Sequence, residues 1–359
     1  MARSKESCME DGAGGKFTLK HIAEELGLST ATVSRAIAGN TAISEETREL
    51  VVQTAARLGY SAPRRGPKGK SGKGNLPEQV CVVLPVATGH GGQLGNPFEL
   101  SLLGGIGAAL RERRRDFSIS WQTPHDDRTL SEFIDTSHYR GFIFFGQSQF
   151  HDALNRFGAA NRPIVVWGVE TEGQRYCSVG TDNFDGGFRA TRHLIRTGRK
   201  RIAFFGSMPP IAEARTALSQ IAQRLEGYKA ALTAEGIPFD PAIVQTPFSS
   251  RYEGADAVDN LVERGVAFDS IVAASDIVAL GALQALKRHG LRVPEDVALI
   301  GYDDIDVASF SSPQLSTVRQ DVIKAGNMLV SKVLRMMDGH RAVSERLPTE
   351  LIIRGSCGA

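Results

Sequence analysis

From residue 80 onward the chain alternates, twice over, between short apolar runs and stretches with helical spacing. "VCVVLP", "FSISW", "GFIFFG" and "PIVVWG" make one series. After "VGTDN" come "RIAFFG", "AIVQT", "SIVAAS" and "VALIGYD". Short runs that are apolar throughout read as strands buried on both faces. Between them lie amphipathic stretches, one carrying Phe98, Leu102, Ile106 and Leu110, another Leu218, Ile221, Leu225, Tyr228 and Leu232. Parallel strands need crossovers, and helices supply them, so this alternation predicts doubly wound parallel sheets in two α/β lobes. A last run, "LSTVRQD", then a helix and "TELIIRG", returns the chain to both lobes.

Composition limits what such a chain does. The 359 residues exceed one ordinary core, and 42% hydrophobic with 23% charged residues is usual for a soluble protein. No apolar run approaches the ~18 residues of a membrane span. The opening "MARSKESCMEDGAGG" lacks an apolar targeting core, so a cytoplasmic location is expected. Cys8, Cys81, Cys177 and Cys357 are scattered without CxxC spacing, so neither a metal site nor a disulfide framework is expected. No GxGxxG follows a strand, and no phosphate loop, GxSxG or HExxH is present. The glycines of "GGIGAAL" lie on an amphipathic helix and suit close packing. No catalytic residue, metal or cofactor is therefore assigned.

Residues 17–60 have a different character and read as three short helices. Leu19, Ile22, Ala23 and Leu26 make one apolar stripe, and Gly27 is a natural stop. Ser29 is a plausible cap for a second helix with Val33, Ala36 and Ile37 facing inward. Ser44 caps a third, with Glu45 and Glu46 in its first turn and Val51, Ala55 and Leu58 on its buried side. Helix, tight turn and helix fit a helix-turn-helix, an all-α headpiece before the α/β core. Its second helix is small and polar, so it can enter a major groove closely. Thr30, Ala31 and Arg35 face away from Val33 and Ile37, and Arg35 can reach a guanine edge. Thr18, Ser29, Thr32, Ser34 and Asn40 are suitable phosphate contacts. Charge agrees: residues 1–78 hold 12 Lys+Arg against 9 Asp+Glu, and the remainder 30 against 31. The excess concentrates at Arg64, Arg65, Lys68, Lys70 and Lys73 in a Gly/Pro-rich segment, which fits double-stranded DNA as partner.

"FTLKHIAEELGLSTATVSRAIAGNTAISEETRELVVQTAARLGY" resembles the headpiece of the lactose-repressor/galactose-repressor (LacI/GalR) family of bacterial transcription regulators. "QRLEGYKAAL", "ASDIVALGALQALKRHGLRVPEDVALIGYDDID" and "SSPQLSTVRQD" are similar to that family's ligand-binding core, in order and at family spacing. The resemblance implies a periplasmic-binding-protein-like core that dimerises on a palindromic operator and binds a small effector, usually a sugar, in the cleft between two lobes. It implies repression of carbohydrate-use genes, with Thr30, Ala31 and Arg35 at base-reading positions. Ser29, Asn40, Ser44 and Thr47 would contact the DNA backbone. A transport-type sugar-binding protein is the first rival, and residues 17–60 count against it. An α/β enzyme is the second, and no motif supports it.

The expected organisation is a disordered tail over 1–16, the headpiece over 17–60, a basic hinge linker over 61–79 and the core over 80–359. Lobe one is expected at about 80–180 and 307–335, lobe two at about 181–306 and 336–359. The hinge departs from the family pattern, because Gly66, Pro67 and Gly69 disfavour the short minor-groove helix that family hinges form. It is expected to bind electrostatically and bend DNA little.

In open α/β sheets ligands bind beyond the carboxyl ends of the strands. Asp276 follows "SIVAAS" directly, where it can cap a helix or accept hydrogen bonds from vicinal hydroxyls. The resemblance matches Asp276 and Arg224 to effector positions. Asn96 and Phe98 follow the first strand, and Gln147 follows "FIFFG". Trp167 ends "PIVVW", Asp182 stands at the first crossover, and Asp303 ends a later strand.

Overall fold

The computed structural model describes residues 18–37, 43–58, 79–84, 97–120, 126–146, 151–206, 220–245 and 250–359. The expected tail, Asn40, the linker with Arg64, Arg65 and Lys68, and the cleft candidates Asn96 and Gln147 lie outside them. The chain divides into two compact units, Met1–Gly74 and Asn75–Ala359.

The first unit holds α1 (Leu19–Leu26), α2 (Thr30–Ile37) and α3 (Glu45–Arg57). The apolar stripe read from spacing becomes its core: Ile22, Ala23, Val33, Ala36, Val51 and Ala55, flanked by Leu19, Leu26, Ile37 and Leu58. Gly27 takes φ 63° and its N–H donates to the Ala23 carbonyl, a left-handed stop that a side chain would strain. Arg57 pairs with Glu25 and joins α3 to α1.

The second unit contains two six-stranded sheets. The first orders as β11-β5-β4-β3-β1-β2, from β1 (Val80–Val83), β2 (Phe117–Ser120), β3 (Gly141–Phe145), β4 (Ile164–Trp167), β5 (Cys177–Thr181) and β11 (Glu345–Leu347). All its pairings are parallel. The second orders as β12-β10-β9-β8-β6-β7, from β6 (Ile202–Phe205), β7 (Val244–Gln245), β8 (Ser270–Ala273), β9 (Ala298–Asp303), β10 (Ser316–Arg319) and β12 (Glu350–Ile352). Only β12 runs antiparallel to its neighbour. In each sheet the first strand lies between the second and third. That reversal opens a crevice at the strand ends, where α/β sheets take ligands.

The helices described in this unit are α4 (Pro97–Glu112), α5 (Asp127–Thr136), α6 (His151–Ala159), α7 (Asn183–Arg196), α8 (Gln220–Ala234), α9 (Arg251–Glu263), α10 (Asp276–Arg288), α11 (Asp306–Phe310) and α12 (Val322–Met337), and α4, α7, α8, α10 and α12 position the site. Phe98, Leu102, Ile106 and Leu110 of α4 are buried, as their spacing predicts. Gly105 of α4 meets the α12 backbone, where a Cβ would strike the Val322 carbonyl. Gly187 of α7 likewise lets the backbone of Arg224 on α8 approach closely.

Two features differ from the sequence reading. β5, "CSVGT", is a strand buried along its whole length, although Ser178, Gly180 and Thr181 disguise it. The late lobe boundaries also shift. β10 lies in the second sheet between β9 and β12, so residues 307–319 are not part of the first lobe. Only from α12 does the chain return to the first lobe, and β11 then completes the first sheet before β12 completes the second. A four-residue strand such as "STVR" carries no mark of which sheet it will join.

Candidate functional site

The headpiece presents one polar helix face. On α2, Val33 and Ala36 are buried while Thr30, Ala31 and Arg35 are exposed, as the 3.6-residue period requires. Ser34 lies beside them, half-buried. Ser29 Oγ accepts from the Thr32 N–H at 3.0 Å and pairs with the Thr32 hydroxyl at 2.8 Å. Ser44 Oγ accepts from the Thr47 N–H at 3.4 Å and pairs with the Thr47 hydroxyl at 2.8 Å. The Thr18 N–H donates to His21 Nδ1 at 3.1 Å. Each headpiece helix thus opens on a hydroxyl residue, and a helix start of this kind suits a phosphate oxygen.

In the core, α8 carries Arg224 to the crevice of the second sheet. Arg224 is only 5% exposed. Its Nε donates to Asn183 Oδ1 at 2.9 Å, and its Nη1 donates to the Ala274 carbonyl at the end of β8. The guanidinium lies 3.5 Å from the centre of the Tyr302 ring, which its planar, weakly hydrated cation suits. Its charge partner is Asp303, 3.8 Å away at the end of β9. Burial pushes the Asp303 carboxyl up to about 6, partly offset by Arg224 and by the Gln320 amide, while Glu99 on α4 adds to the rise. Asp303 has φ 111° and Asp304 φ 55°, two left-handed residues without glycine. Such backbone persists only where the surroundings enforce it, and it concentrates at binding sites.

Asp276 opens α10 just past β8. It is 0% exposed, and both oxygens are occupied. Thr317 Oγ1 donates to Oδ1 at 2.6 Å and the Ile305 N–H donates to Oδ2 at 2.9 Å. Its pKa rises well above the carboxylate range, from burial first and then from Asp303. The cap of α10 is Ser275, whose hydroxyl accepts from Val278 N–H at 3.4 Å. Asp276 braces α10 against the segment after β9, and the carboxylate beside Arg224 is Asp303. Asp182 caps α7 by accepting from the Asp185 N–H at 2.9 Å and lies 3.7 Å from Arg346.

Phe98 and Trp167 meet at the strand ends of the first lobe, ring centres 5.9 Å apart. Both are buried, and Trp167 Nε1 is a buried donor without a partner among the described residues. Sequence reasoning missed Asn183, Tyr302, Thr317 and Gln320. Asn183 and Gln320 each lie just past a strand end beside an aspartate, a signal visible only once strand ends are known.

The headpiece matches the family model for bacterial regulatory proteins of the lacI family over residues 18–62, and residues 191–357 match a periplasmic binding protein-like domain. Along 94% of the chain it is 30% identical to the HTH-type transcriptional regulator CelR of Thermobifida fusca, covering 98% of that protein. The chain belongs to the LacI family. It is a DNA-binding transcriptional regulator and not an enzyme, as the quoted motifs imply. The LacI-family repressor CytR of Escherichia coli K12 is 29% identical over 95% of the chain and 96% of its own length. Among solved structures, a CelR–cellobiose complex superposes with TM-score 0.67 at 29% identity, covering 95% of this chain and all of that one (100%). A LacI-family regulator from Enterococcus faecium with bound ribose gives TM-score 0.65 at 27% identity, covering 77% of this chain and 98% of that one. Among the described residues no helix is long and apolar enough to cross a membrane.

Proposed function

We propose that this LacI-family regulator is a cytoplasmic repressor that binds a palindromic operator as a homodimer and answers to a small saccharide between its two lobes. The observation that carries the effector reading is the buried Arg224–Asp303 pair, 3.8 Å apart at the crevice of the second sheet. A guanidinium and a carboxylate side by side give a polyol both donors and an acceptor. The Trp167–Phe98 pair adds an apolar wall and a spare N–H. Relatives solved with cellobiose and with ribose support a sugar-class ligand. In this reading Asp303, Arg224 and Trp167 touch the effector, with Asn96, Phe98 and Gln147 bordering it, and Asp276 holds the frame.

For DNA, Arg35 reads a base, Thr30 and Ala31 touch base edges, and the Thr18, Ser29 and Ser44 helix starts contact phosphates. Thr32, Ser34, Asn40 and Thr47 assist them, with Arg64, Arg65 and Lys68 of the 61–79 linker adding electrostatic contacts. Closure of the lobes on the effector alters how the paired headpieces meet two half-sites. The test is selection from a random duplex library, followed by gel shifts at several salt concentrations with a panel of mono- and disaccharides that includes cellobiose and ribose. A selected, salt-sensitive site whose occupancy changes with one of them is expected. Failure to enrich any sequence sinks the DNA reading, and a site indifferent to the whole panel sinks the effector reading.

A further inference from the structure

Buried polar side chains at the lobe crossings close a circuit. Thr181 Oγ1 donates to Gln320 Oε1 at 2.6 Å, and Gln320 Nε2 donates to Asp303 Oδ1 at 2.7 Å. That oxygen lies 3.8 Å from Arg224, whose Nε donates to Asn183 Oδ1 at 2.9 Å. Asn183 Nδ2 then donates to the Thr181 carbonyl at 3.1 Å. The members come from both lobes. Thr181 ends β5 of the first sheet, and Asn183 opens α7 just past the first crossing. Gln320 occupies the second crossing, between β10 and α12. Asp303 ends β9 of the second sheet.

We propose that Gln320 is the positioning residue of the effector cleft: it aims the Asp303 carboxylate, and through Thr181 it makes that aim depend on the relative placement of the two lobes. This rests on the reading of Asp303 as an effector contact. The chemistry follows from the amide. Its acceptor and its donors sit on one planar terminus, so a shift of Thr181 turns the same group that serves Asp303. Thr181 and Gln320 are both buried, and no solvent stands ready to replace a broken bond. Asp303 also needs holding, because its backbone is left-handed. Its neighbour Asp304 is held separately, accepting from Arg319 Nε at 2.7 Å and from Arg354 Nη2 at 2.6 Å. Gln320 is the neutral donor left to fix Asp303. The charged groups that act on Asp303 are Arg224 from α8 and Glu99 from α4, and Asp276 on α10 is coupled to it. The Gln320 donor favours the carboxylate against its burial.

The test uses the full-length protein, with thermal melts from pH 4.5 to 7.5 and an Asp303→Asn variant as the reference that isolates Asp303. Gln320→Leu should move the Asp303 midpoint upward by roughly one pH unit, the usual size of a lost donor to a carboxylate. Thr181→Val, which does not touch Asp303, should move it in the same direction, and the double variant should match Gln320→Leu alone. Gln320→Glu keeps an acceptor for Thr181 but loses the donor, so it too should raise the midpoint. A Thr181→Val variant that loses stability equally at every pH, with the midpoint unmoved, overturns the relay. These outcomes need no effector, so a failure of the saccharide panel is distinguishable from a failure of the relay.

Discussion

Gly301 and Asp276 share one space in the second lobe. A Cβ on Gly301 would strike Asp276 Oδ1 and lie 3.0 Å from Leu315 Cδ2 and 3.3 Å from the Ala279 Cβ. The glycine serves here by its absent side chain, not by its backbone freedom. Gly301→Ala should therefore destabilise the core by about 1–3 kcal/mol, the usual cost of an added buried methyl group. Urea unfolding reads this directly. A neutral result means that Asp276 can move freely and is no brace.

Asp303 should leave a mark on the pH dependence of stability. Its folded pKa of about 6 lies above the ordinary carboxylate value. Its contribution is fully present below that ordinary value and is lost as pH rises through about 6. Asp276, raised by burial, acts in the same sense. Asp296 and Asp259 are lowered, so their contributions change only in more acidic solution. Between pH 4.5 and 7.5 the wild type should lose melting temperature, and Asp303→Asn should flatten that slope. The same variant should weaken saccharide binding by about 1.5–3 kcal/mol, the range for a hydrogen bond to a charged group. An unchanged slope assigns the titration elsewhere.

Trp167 separates stability from binding. Replacing it with phenylalanine leaves a small void, which destabilises, and removes a buried N–H without a partner, which relieves a cost of about 1–3 kcal/mol. The two should nearly offset, so Trp167→Phe should unfold within about 1 kcal/mol of the wild type. Saccharide affinity, by isothermal calorimetry, should fall about tenfold. Full affinity in the variant would mean that the indole N–H never meets the effector.

On the headpiece, Arg35→Ala should relax base preference at one position of each half-site, at about 1–3 kcal/mol. Competition against single-base variants of the selected duplex measures it. A uniform loss across all variants would mark Arg35 as a phosphate contact.

Much of this was legible in the residues. The stripe of Ile22, Ala23, Val33 and Ala36 follows from the helical period, and the Phe98–Leu110 face follows from the same rule. Buried strands such as "GFIFF" declare themselves by unbroken apolar runs. β5 did not, because it spends positions on Ser178, Gly180 and Thr181, which meet Ser344, the Gly168 backbone and Gln320. The different settings of Asp276 and Asp303 were illegible for a related reason. Asp276 follows a strand and Asp303 ends one, and one-dimensional spacing cannot tell which carboxylate Thr317 and the Ile305 amide will occupy. Only the meeting of β9 and β10 decides it. Gln320 was hidden most deeply, since its partners Thr181 and Asp303 come from different sheets.

The late strands carry one more consequence. Each sheet takes an edge strand from residues 345–352, β11 pairing with β5 and β12 with β10. A nascent chain that has emerged only as far as α12 holds two nearly finished sheets, each with an open row of hydrogen-bonding groups. Such edges invite pairing with other chains. Neither sheet is therefore complete until residues 345–352 have been made. Both halves wait for the same few residues, and their last edges close at nearly one moment of synthesis.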